Sequence, residues 1–166
     1  PIVKLHERHE NVRGVLLDDF STTEINSGAQ PDVLARMRSA MPDSLELWIV
    51  VYSMSLEIPN LSEYLDHVDG VSFWVWSAED LARLPDWVSR CNALSGNKPM
   101  NLGMYFYDFG GGKPMAIQDM EQQLAIGVSL IENGACQDLT FLSSSIMDVG
   151  LETIPWTRDW IRQKTY

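Results

Sequence analysis

Positive charge is scarce in this chain. Twelve Lys and Arg stand against 23 Asp and Glu, for a net charge of −11 and a pI near 4.5. That balance excludes the basic footprint needed to hold a phosphate backbone or an anionic bilayer, so neither nucleic acid nor a membrane surface is an expected partner. Long apolar runs are also missing, and none reaches the roughly 18 residues that span a bilayer. No stretch has the order of a secretory signal. Cysteine is rare: Cys91 and Cys136 are the two. They form no CxxC and no metal spacing, and both fall in helical patterns, so two buried free thiols are expected. There are three histidines. His6 and His9 flank Glu7 without the HExxH spacing, which reads as a solvated helix end and leaves no expected metal site. No GxGxxG and no phosphate loop occur. Gly110-Gly111-Gly112 runs into Lys113-Pro114 rather than Lys-Ser/Thr, so it reads as a flexible loop, and no cofactor is implied.

What is present is apolar and aromatic. Of 166 residues 45% are hydrophobic, with six Trp, five Tyr and five Phe, enough for a sizeable core in one domain over residues 1–166. Short apolar runs alternate with helical periodicities. Strands are expected at 11–20, 45–54, 71–76, 100–107 and 138–143. Pro31 opens a helix carrying Val33, Leu34, Met37 and Met41. Asn60 and Glu63 suggest a capping box before Leu61, Tyr64, Leu65 and Val68. Ser77 caps a helix that Pro85 divides and that Trp87, Val88, Cys91 and Leu94 continue. Ile117, Met120, Leu124, Val128 and Ile131 mark another, and Pro155 opens a last one with Trp156, Trp160 and Ile161. Met54, Met104 and Met120 read as core filler. Five strand–helix units of this kind indicate an α/β fold with a mainly parallel sheet.

The stretch Gly14-Val15-Leu16-Leu17-Asp18-Asp19-Phe20-Ser21-Thr22 carries the chemistry. An apolar run ends in adjacent carboxylates at the carboxyl end of a strand, where α/β folds bind ligands. Neighbouring acids repel, so one of the two is expected to hold its proton more tightly. Asp18 and Asp19 also suit a turn and helix cap, which is the plainer reading. Pleat alternation sends the two to opposite sides unless the strand ends before Asp18. The other strand ends are loaded as well: Ser53-Met54-Ser55, Trp74 to Ser77, Tyr107-Asp108 and Ser143-Ser144-Ser145. Loading at every strand end fits the mouth of a (β/α)8 TIM barrel rather than a single switch point. A full barrel needs about 250 residues. The chain therefore reads as a partial barrel of five parallel strands, the fourth to eighth. It opens at Pro1 on what reads as the tail of an element. Processing or truncation upstream is expected, with three units preceding, and no compartment is assigned.

In that register Leu16-Leu17-Asp18-Asp19-Phe20 resembles the paired-aspartate motif of glycoside hydrolases, loosely that of β-N-acetylglucosaminidases of the O-GlcNAc hydrolase type. Phe73-Trp74 and Tyr107-Asp108 are similar in the sixth and seventh strand positions. The resemblance implies a barrel that cleaves or binds a carbohydrate, with Asp18 orienting a substrate acetamide and Asp19 as general acid. The residues alone allow a second assignment: Asp19 as acid and Asp108, across the mouth, as nucleophile or base. Hydrolysis of a glycoside requires such a pair of carboxyl groups.

Trp74, Trp76, Tyr105 and Tyr107 are candidate sugar platforms, with Ser53 as a rim hydroxyl. Flat rings stack on CH-rich sugar faces, although the same rings also serve as core. Glu57 and Asp148 read as solvated acids. Enzyme and non-catalytic carbohydrate-binding domain both fit. So does an assembly domain, whose open edges would pair in a homo-oligomer or with a missing N-terminal barrel half. Five units do not close an eight-strand mouth, so weak or absent turnover is expected of this chain alone.

Overall fold

A computed structural model describes residues 2–142 and 148–164. After a short helix α1 (Ile2–His6), strands β1 (Gly14–Leu17), β2 (Glu46–Tyr52), β3 (Gly70–Trp74) and β4 (Met100–Tyr105) alternate with helices α2 (Pro31–Ser39), α3 (Leu61–Leu65) and α4 (Leu84–Ser95). A small ribbon, β5 (Tyr107–Asp108) with β6 (Lys113–Pro114), precedes α5 (Ile117–Glu132). Strand β7 (Asp138–Leu142) and helix α6 (Thr153–Lys164) follow. A π-helical turn at Phe20–Glu24 and 3-10 turns at Ser53–Glu57 and Ala78–Arg83 leave the first three strands.

The main sheet has the order β1-β2-β3-β4-β7, and every pairing is parallel. Each strand thus lies beside its predecessor in the βα series. A doubly wound sheet would reverse direction at a switch point, and this one does not. Successive helices also touch one another, α2 with α3, α3 with α4, α4 with α5 and α5 with α6. The result is a curled half-barrel, an α/β fold like part of a TIM barrel. Among the described residues β1 and β7 are its two open edges.

Strand parity divides the side chains. Leu47, Ile49 and Val51, Val71 and Phe73, Leu102 and Met104 are essentially inaccessible, in one cluster with Leu34, Leu65, Val88 and Leu124 of the helices. Each fully buried aliphatic contributes about 1.5–3 kcal/mol. The other parity faces the concave side, where bulk and gap alternate. The Trp48 ring lies across Gly70, and the Trp74 ring across Gly103. A side chain at either glycine would occupy the space of the indole.

The strands are shorter than periodicity predicts, because their last residues leave the sheet to build the mouth. β1 covers only 14–17 and β4 stops at Tyr105. The expected capping box at Asn60 does not form: Asn60 adopts φ 58° and makes no side-chain cap. Pro85 stands at the start of α4 and separates it from the preceding 3-10 turn. Met104 and Met120 are core, but Met54 is exposed in its turn. Cys91 and Cys136 are buried free thiols. Burial pushes their thiols up to about 12 and about 11, respectively. His6 faces the Val12 carbonyl and the Ser44 hydroxyl instead of standing fully solvated.

Candidate functional site

A cleft of about 270 Å³ opens on the concave side at the carboxyl ends of the strands, lined from every strand of the main sheet. Asp18 and Asp19 stand at its β1 end. β1 terminates at Leu17, and Asp19 takes a left-handed conformation at φ 54°. The pleat is therefore broken before the acids, and both side chains line the cleft. The turn amides of Thr22 and Thr23 donate to the Asp19 carbonyl, not to its carboxylate. One Asp18 oxygen accepts the Asp19 N–H at 3.0 Å. Asp19 Oδ1 accepts the Tyr52 hydroxyl at 2.8 Å.

The residues behind the acids hold this arrangement. Buried Ser21 donates to the Val50 carbonyl at 2.9 Å and lies 2.9 Å from the Ser55 hydroxyl. Ser55 Oγ in turn accepts the Tyr52 N–H. The π-helical turn is thus pinned to β2 directly behind Tyr52. Burial first, and then the hydrogen bond to Asp19, raise the Tyr52 phenol far above its ordinary value. Burial pushes Tyr105 up to about 12, with hydrogen bonding to Tyr52 opposing the shift. Both are neutral phenols at physiological pH.

Aromatic rings form the walls. Trp74 leans on Tyr105 with centroids 4.7 Å apart, and its Nε1–H donates to Ser72 Oγ. Trp76 is 39% exposed, which leaves an indole open to a ligand. It meets Tyr52 and Tyr105 nearly at right angles and lies 4.9 Å from Phe109. Phe109 arrives on the loop after β5, whose Gly110 N–H donates to the Trp76 carbonyl at 3.1 Å.

No protein-family model matches the chain, and no curated protein matches it. Among solved structures, the glycoside hydrolase domain of PgaB (BpsB) from Bordetella bronchiseptica superposes with a TM-score of 0.48 at 14% sequence identity. The superposition covers 89% of this chain and 56% of that one, so the chain spans little more than half of that domain's length.

Five of the eight residues singled out from sequence meet in the cleft: Asp18, Asp19, Trp74, Trp76 and Tyr105. Three do not line it. Asp108 is 4% exposed, and its Oδ1 accepts the Ala78 and Gly111 N–H groups at 3.1 and 2.9 Å. With Oδ1 given to two loop amides, Asp108 is buried outside the cleft in which Asp19 stands, whereas the second assignment places it across the mouth as nucleophile or base. The glycine run serves that acceptor: a Cβ at Gly111 would come within 2.2 Å of Asp108 Oδ2. It is a tight wrap around a carboxylate rather than a loose loop. Tyr107 belongs to the ribbon and packs edge-on against Phe109. Ser53 starts the turn after β2, one residue out of phase with Tyr52. Glu57 is exposed and paired with Arg90, which lowers its carboxyl. Asp148 is exposed, and Ser143-Ser144-Ser145 lies outside the described residues.

Sequence reasoning missed Tyr52 and Phe109. The signal for Tyr52 was available, since Trp48, Val50 and Tyr52 share one strand parity and Val50 and Tyr52 both line the cleft. Phe109 carried none, because its position depends on loop bonds between segments distant in sequence.

Proposed function

We propose that the cleft binds a carbohydrate and that Asp19 acts as general acid on its glycosidic bond, with Asp18 beside it at the reacting end. The observation that carries this reading is that both carboxylates open into one aromatic-walled cleft. Trp76, with an open indole, is the sugar platform, and Trp74 and Tyr105 form the floor. Within this reading the O-GlcNAc-hydrolase-type assignment, Asp18 orienting an acetamide and Asp19 donating the proton, is the finer alternative. It is the one consistent with Asp108 being occupied elsewhere.

General acid catalysis contributes about 10²–10⁴-fold. Asp19→Asn should therefore lower turnover of an aryl glycoside at least a hundredfold, while thermal unfolding and sugar affinity stay near those of the parent. Single-turnover measurement at high protein concentration suits a cleft built on five strands. Unchanged turnover in Asp19→Asn would remove the acid from the scheme. A second reading, a carbohydrate-binding domain without turnover, draws on the open sheet edges and the exposure of Leu16 at 47% beside the cleft. On that reading Trp76→Ala loses sugar affinity, and no glycoside is hydrolysed by any variant.

A further inference from the structure

We infer that the same cleft is an aromatic cage for a trimethylammonium group, a ligand class separate from the sugar reading and not dependent on it. Six aromatic residues line the cleft: Tyr52, Trp74, Trp76, Tyr105, Phe109 and Phe141. Two of its corners are nearly square. The Trp76 ring stands at 85° to Tyr52 and 83° to Tyr105, with centroids 5.8 and 6.3 Å apart. Trp76, 39% exposed, presents an open face to the cleft, and Tyr52 and Tyr105, 6% and 4% exposed, close the corner behind it; aromatic rings set around a central group recognise quaternary ammonium ions. Asp18 and Asp19 supply negative charge at one end, and no Lys, Arg or His is among the described lining residues. Nothing in the lining therefore neutralises the acids before a ligand does.

The choice of cation follows from the make-up of the lining, in which aromatic rings outnumber the two carboxylates gathered at one end. A primary ammonium donates three hydrogen bonds and would be drawn to the carboxylates and away from the rings. A trimethylammonium donates none and is satisfied by faces and a nearby charge. The rest of the lining is mostly aliphatic or aromatic, with Thr140 the one neutral aliphatic hydroxyl. Compact, strongly hydrated metal ions would keep their water and gain little from the rings. The walls are also preformed, because Tyr52 is tied to Asp19 and the Phe109 loop is stitched to the Trp76 carbonyl. Little ordering is left to the moment of binding.

Tryptophan fluorescence titration with choline chloride tests the proposal, against sodium chloride at equal ionic strength and against 3,3-dimethylbutan-1-ol, the neutral carbon isostere. A trimethyl-lysine titration separates a free small molecule from a modified side chain as the source of the group. Choline is expected to bind about tenfold or more tightly than the isostere, from the size of a desolvated cation–π contact. Trp76→Ala should lose at least about tenfold and Trp76→Phe less. Asp19→Asn should weaken choline several-fold without changing the isostere. Equal affinity for the isostere, or a response no larger than that to sodium, overturns the cage. A sugar titration on the same variants keeps the readings apart. Sugar binding without choline binding defeats the cage alone, and choline binding without sugar binding defeats the proposed function alone.

Discussion

Tyr52 and Tyr105 show how a few atoms set the character of the cleft. Both hydroxyls are held in their neutral form, chiefly by burial, and the ordinary phenol value is 10.0. A group whose proton is held more tightly in the folded state contributes its full stabilisation below the unfolded value. That contribution is lost as pH rises through the folded value. For Tyr105 the window runs from 10.0 to about 12. Stability should accordingly begin to fall above pH 10, and Tyr105→Phe should flatten the fall over that window, read from urea midpoints. Absorbance of tyrosinate should show the same pair titrating last, so that Tyr105→Phe and Tyr52→Phe lose no amplitude below pH 10. An early loss of amplitude in either variant would mean that its phenol is not shielded.

At the scale of elements, two devices shape the mouth. One is the loop wrapped around Asp108, which carries Phe109 to Trp76. Removing its buried acceptor leaves the Ala78 and Gly111 amides without a partner, at about 1–3 kcal/mol for each unsatisfied group. Asp108→Ala should therefore lower the urea midpoint and weaken any ligand held against Phe109. Asp108→Asn keeps a carbonyl oxygen for both amides and should stay near the parent in stability and in turnover. A nucleophile would not survive that change, so loss of turnover in Asp108→Asn at unchanged stability would return Asp108 to the chemistry. The other device is the exchange of bulk between neighbouring strands. A Cβ at Gly103 would lie 1.8 Å from the Trp74 ring, and at Gly70 2.5 Å from the Trp48 ring. Overpacking of this kind costs about 1–3 kcal/mol. Trp74 is buried against Tyr105 while Trp48 is only half-buried. Gly103→Ala should thus destabilise more than Gly70→Ala, and only Gly103→Ala should alter the cleft.

At the scale of the whole molecule, the five strands of the curled sheet leave β1 and β7 as edges with no further strand beside them among the described residues. Exposed edges invite pairing with another chain, and β1 also presents Leu16. A net charge of −11 opposes that pairing at neutral pH. Repulsion vanishes near the pI of about 4.5. Sedimentation velocity should show concentration-dependent association that grows as pH is lowered from 7.5 toward 5. A sedimentation coefficient independent of both pH and concentration would mean that the edges do not act as docking strands. Among the described residues no helix is long and apolar enough to cross a membrane.

The alternation of apolar runs with helical periodicities was sufficient to read an α/β fold with five parallel strands. Burial of the helix-facing side is written directly into residues such as Leu47, Ile49, Val51 and Phe73. The acids after β1 and the aromatics after β3 were visible too, because strand parity and strand ends are local properties. What the chain could not disclose locally was where each strand stops. The left-handed turn at Asp19, which brings both carboxylates to one side, depends on Ser21, Val50 and Ser55 meeting across 29 and 34 positions of sequence. Asp108 looked the equal of Asp19 in composition and placement, yet its carboxylate accepts the amide of Ala78, 30 positions earlier in the chain. Local patterning set the elements and their faces. Long-range hydrogen bonds decided which acids meet the cleft, because the bonds that fold the Asp108 loop back onto Ala78 bury that carboxylate outside it, while the pinned turn after β1 leaves Asp18 and Asp19 on its wall.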